Sequence, residues 1–100
     1  MYEPVTVTSE VKKLILRAMS LYKFMIDTVN EKRAGTDEWR SWLGMRDESM
    51  HTLIALCIWC GLDPKKVIKC IENGELGKVR KVGPIGFSAM FEKTENEEAA

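Results

Sequence analysis

Leu53-Ile-Ala-Leu-Cys-Ile-Trp-Cys-Gly-Leu-Asp-Pro-Lys-Lys-Val-Ile-Lys-Cys70 holds two helical patterns and the junction between them. Leu53, Ile54, Cys57 and Ile58 recur at helical spacing, and Leu56, Trp59 and Cys60 broaden the stripe. Gly61 offers the left-handed residue that ends such a helix, and Leu62 is the apolar residue that commonly follows the cap. Asp63-Pro64 opens another helix, with a carboxylate at the N-cap and a proline at the first helical position. Val67, Ile68 and Ile71 then face inward, and Lys65, Lys66 and Lys69 face outward, until Asn73-Gly74 stops the run. Cys57, Gly61, Leu62, Val67 and Cys70 match in order the small, glycine, apolar, β-branched and apolar positions of a helix-turn-helix. Two helices crossing steeply through a short turn need a tight glycine and a small contact residue.

Upstream, Met50 belongs to the stripe of Leu53, and Asp47-Glu48 reads as its N-terminus. Thr36 caps a shorter helix whose Trp39, Trp42 and Leu43 share a face and which Gly44 is expected to stop. Before it, Val11, Leu14, Ile15, Ala18, Leu21, Tyr22, Met25 and Val29 form the main stripe of a long first helix, capped by Thr8 or Ser9 and ended by Gly35. Leu16, Met19, Phe24 and Ile26 fall outside that stripe, so this helix should be covered on more than one side. Val5 and Val7 alternate in a short edge strand or a loose arm.

Downstream, Gly77, Gly83, Pro84 and Gly86 disfavour a helix. Lys78 to Val82, a Gly-Pro turn and the alternating Ile85, Phe87, Ala89 and Phe91 fit a β-hairpin, with a packed irregular arm as the competing reading. The expected architecture is mainly α over residues 1–91. It has four helices, a helix-turn-helix-like third and fourth pair, and a C-terminal β-hairpin or extended arm. An acidic flexible tail follows over 92–100.

One hundred residues with 45% hydrophobic and 30% charged content describe a single globular domain. Fifteen bases balance fifteen acids, which argues against a polycationic nucleic-acid coat and against an acidic nucleic-acid mimic. The charge is uneven along the chain: residues 64–91 carry six bases and two acids. No apolar run approaches the ~20 residues of a membrane span, and the chain opens on no secretory signal pattern. Three cysteines then read as reduced thiols in a cytoplasmic protein.

The chain holds no P-loop, GxSxG, HExxH or dinucleotide fingerprint, and its only histidine, His51, has no obvious nucleophile partner. A non-enzymatic protein without cofactor or small-molecule substrate is expected. Cys57-Ile-Trp-Cys60 has the spacing of a redox motif or half a zinc site, with Cys70 and His51 as further ligands. Both thiols lie mid-helix, away from the N-terminal dipole that activates such a pair, so they read as small buried hydrophobes and no metal is expected.

Trp39-Arg-Ser-Trp42-Leu43, then Leu56-Cys57, then Cys60-Gly61-Leu62-Asp63-Pro64-Lys65-Lys66-Val67 resembles a pattern in small bacteriophage- and prophage-encoded helical proteins. The resemblance covers about a third of the chain. It implies a DNA-linked regulator or an inhibitor of a host system, acting in a bacterial cytoplasm. Two binding modes follow. In the first, a host or phage protein is the partner, through Trp39, Trp42, Leu16, Met19 and Phe24, and the surplus apolar surface of the first helix joins two copies as a homodimer. In the second, duplex DNA is the partner, with Lys65, Lys66, Lys69, Lys78, Arg80 and Lys81 on its phosphates.

Overall fold

The structure, a computed structural model, describes residues 5–93. Most of the expected acidic tail, residues 94–100, lies outside the described residues. Among those described, the chain forms α1 (Ser9–Glu31), α2 (Asp37–Trp59), α3 (Pro64–Glu72), α4 (Leu76–Lys81) and α5 (Pro84–Phe91).

The Thr8 hydroxyl accepts the Val11 N–H and starts α1, with Glu10 in the first turn where the helix dipole favours an acid. Thr36 does the same for α2 through the Trp39 N–H. The two helices expected on either side of Gly44 are one continuous α2. Glycine in a helix interior costs about 1 kcal/mol relative to alanine but does not forbid the helix, and α2 packs on α1 along both halves. Asp47, expected as an N-cap, is mid-helix and paired with Arg46 at 3.0 Å. Gly35 is not the cap of α1 either. That helix ends at Lys32, and Gly35, at φ 88°, shapes the turn into α2.

The α2–α3 junction follows its sequence signals closely. The Leu62 N–H donates to the Cys57 carbonyl at 2.8 Å and the Gly61 N–H to that of Ile58 at 3.1 Å, with Gly61 at φ 73°. This is the two-bond glycine closure of a helix C-terminus. An Asp63 carboxylate oxygen accepts the Lys65 N–H at 2.9 Å, and Pro64 takes the first turn of α3.

The C-terminal hairpin is absent. Leu76–Lys81 and Pro84–Phe91 are short helices, and no named strand occurs among the described residues; Leu62 and Glu92 form an isolated antiparallel bridge. Gly83-Pro84 serves as N-cap and first turn of α5 rather than as a hairpin turn. The alternation of Ile85, Phe87, Ala89 and Phe91 gives way to an i, i+4 pair. Phe87 and Phe91 are both buried and meet edge to face at 5.1 Å. The Lys12 ammonium of α1 donates to the backbone carbonyls of Arg80 and Val82, satisfying the open end of α4. Val5 and Val7 form no strand: the Val5 N–H donates to the Trp59 carbonyl at 3.0 Å, and Val7 is buried.

α1 and α2 make an antiparallel hairpin, with Phe24 on Trp42 near the turn and Val5 on Trp59 at the far end. α3 packs on both helices, and α4 and α5 pack on α1. Ile15, Met19, Leu53, Cys57, Val67 and Phe87 are fully buried between these layers. The inward row of α1 is Val11, Ile15, Met19, Tyr22, Ile26 and Val29. Met19, expected at a partner surface, therefore belongs to the core. The neighbouring row Leu14, Ala18, Leu21 and Met25 has the same four-three spacing, so apolarity alone does not choose between them.

Candidate functional site

The six bases expected as one DNA-binding face are divided. Lys65 and Lys69 are exposed on α3. Lys66 is half-buried and donates to the Glu92 carbonyl at 2.9 Å. The Asp63 N–H donates to the Phe91 carbonyl at 2.6 Å, so the Phe91–Glu92 segment lies against the start of α3. A recognition helix presents its N-terminal residues to base edges in the major groove. Here that end of α3 carries a capping carboxylate and a crossing backbone. On α4, Arg80 reaches α1 and donates to the Ser20 hydroxyl at 2.7 Å, Lys78 lies 3.7 Å from Glu75, and Lys81 is exposed. Ser20 shares a shallow depression with Lys13, Leu16 and Arg17, so Arg80 stands beside bases of α1.

The apolar candidates also separate. Leu16 is half-buried and packs against the core. Trp39 and Trp42 are half-buried, and Trp42 meets Phe24 edge to face at 6.0 Å. Phe24 is 56% exposed, Leu21 48% and Leu14 44%. Leu14 and Leu21 belong with Ala18 and Met25 to the second row of α1, and Phe24 borders it. A groove runs between that row and α2, lined by Ala18, Leu21, Met25, Met45, Ser49 and Thr52, with Glu48 on the α2 rim. Met45 is exposed, and Ser49 lies at the buried floor. Sequence reasoning named Phe24 but counted Leu14, Leu21 and Met25 in the inward stripe, whereas Leu14 and Leu21 are exposed and Met25 lines the groove. The signal for them was the second four-three row itself.

The thiols are buried and free, and His51 is exposed. Among the described residues no three His, Cys, Asp or Glu side chains are grouped to hold a metal ion. Burial pushes the Cys57 thiol up to about 12, with the neighbouring Cys60 and Asp63 adding in the same direction. A thiol held protonated is a poor nucleophile. Burial also raises Cys60 and Cys70, the latter with Glu75 adding to the shift and Lys78 opposing it. Tyr22 is raised by burial, then by Glu72, while Arg46 opposes and Asp47 adds. These are properties of a packed core. No helix among the described residues is long and apolar enough to cross a membrane.

No family model, curated protein or solved structure matches this chain.

Proposed function

We propose that the protein is a non-enzymatic protein-docking module whose contact surface is the α1–α2 groove. The observation that carries this reading is the exposure of Leu14, Leu21 and Phe24 along α1, with Leu21 and the exposed Met45 of α2 lining one groove. Isolated exposed apolar side chains are ordinary on a folded surface, but a contiguous row along a groove marks an interaction site. Leucine, methionine and phenylalanine in such a groove suit an amphipathic helix laid along it. In the setting that the resemblance to phage-encoded proteins implies, that helix belongs to a protein made in the same cell. Against the DNA mode stand the division of the basic residues and the covered start of α3.

The test is a photo-crosslinking amino acid placed at Leu21 and, separately, at Lys65 in cells making the protein. Covalent adducts to protein from Leu21 and none from Lys65 are expected. Nucleic-acid adducts from Lys65, or no adduct from Leu21, overturn the reading.

A further inference from the structure

We infer that the occupant of the α1–α2 groove is a second copy of this chain, the two hairpins closing into an antiparallel four-helix bundle. This deepens the docking reading and rests on it. α1 and α2 are each 23 residues long, and a four-three row of each lines or flanks the groove. On α1 the row is Leu14, Ala18, Leu21 and Met25; on α2 it is Trp42, Met45, Ser49 and Thr52. Phe24 meets Trp42, and three steps up one antiparallel helix match three steps down the other, which sets Leu21 level with Met45 and Ala18 with Glu48, all four of them lining the groove. A two-fold axis parallel to the helices preserves those levels and stacks α1 of one copy on α2 of the other. Every neighbouring pair of helices is then antiparallel, the arrangement of an up-and-down bundle.

Two features favour a copy of the chain over an unrelated helix. The first is charge. Arg17 lies one helical step from both Leu14 and Leu21, so it borders the exposed row of α1 on the side away from α2, beside the depression it shares with Ser20. Glu48 edges the groove on the α2 side. Among the described residues neither has an ion-pair partner within the chain. Arg17 is one residue from level with Glu48, so the two-fold sets it beside Glu48 of the partner subunit, and does so twice. The same operation lays Leu21 over Met45 of the partner subunit. The second feature is size. Helices of this length span ~34 Å, and two of them side by side at ~10 Å spacing offer a face of roughly 700 Å². That is close to the ~800 Å² per partner of a stable interface.

Light scattering on the purified full chain at micromolar concentration tests this. A mass about twice 11.4 kDa is expected. Leu21→Glu should give a monomer with unchanged helical circular dichroism. Arg17→Glu and Glu48→Arg, both on the surface and so without folding risk, should each weaken dimerisation about ten-fold, as two attractive pairs become repulsive. Arg17→Glu/Glu48→Arg together should restore it. A monomeric wild-type chain, or a double variant no better than the singles, overturns the dimer. If the chain is monomeric yet Leu21 crosslinks to another protein, only the choice of occupant fails. A monomer with no such crosslink ends the docking reading as well.

Discussion

At the scale of single residues, Gly61 and Asp63 do most to define the turn between α2 and α3. Gly61 sits at φ 73°, a region that costs a residue with a Cβ about 1 kcal/mol or more, so Gly61→Ala should lower the denaturant midpoint accordingly. Asp63→Ala removes the acceptor of the Lys65 N–H and should cost about 1 kcal/mol, read in the same titration. The Cys57 thiol gives a pH signature. Its folded value stands near 12 against an ordinary 9.0, so the folded state keeps a proton that the unfolded chain sheds. Stability is therefore complete below pH 9.0 and falls as pH rises from there toward about 12. Urea midpoints followed upward through that range should decline for the wild type and decline less for Cys57→Ala, which separates this thiol from the lysines and tyrosines that titrate nearby. The Asp63, Pro64 and Gly61 signals were all legible in the sequence because cap chemistry is local. The burial of Met19 was not, because it depends on which of two equivalent rows of α1 faces the rest of the chain.

At the scale of elements, α2 shows how far a breaker residue depends on its surroundings. Gly44 lies in the helix interior, and a Cβ placed there meets nothing within 4 Å. Gly44→Ala should therefore stabilise the protein by about 0.5–1 kcal/mol, opposite in sign to Gly61→Ala, with a rise in melting temperature as the readout. The sequence marked both glycines as stops. Only Gly61 is one, because only there does the backbone turn left-handed and its amide close back onto the preceding turn. The misreading of residues 76–91 has a related cause. Alternating apolar residues around Gly-Pro satisfy a hairpin, yet the same Phe87 and Phe91 also stand one helical turn apart. What decides for helices is long-range. Lys12 reaches from α1 to the carbonyls at the end of α4, and Arg80 reaches back to Ser20. Lys12→Met removes a charged donor from that helix end. It should cost about 1 kcal/mol, and hydrogen exchange of the α4 amides should speed up more than that of α3.

At the scale of the whole molecule, the described residues extend 43 × 30 × 21 Å, elongated because the α1–α2 hairpin outreaches the three short helices laid on one of its faces. That asymmetry explains why the mainly helical class was readable from periodicity, whereas the surface available for docking was not. The open face is defined by where α3, α4 and α5 stop, and no local pattern specifies that. The same layout brings both described ends of the chain together. Val5 is bonded to the Trp59 carbonyl and Phe91 to the Asp63 N–H, positions separated by a single turn of backbone. The order in which the helices are threaded is thus not imposed by their packing. A circular permutant joining Lys93 to Val5 through a short Gly-Ser linker, and opened in the exposed Arg33–Thr36 segment, should keep the same helical circular dichroism and a cooperative melt. Loss of cooperativity in that permutant would show that the covalent link between α1 and α2, and not the packing of their faces, holds the hairpin in register.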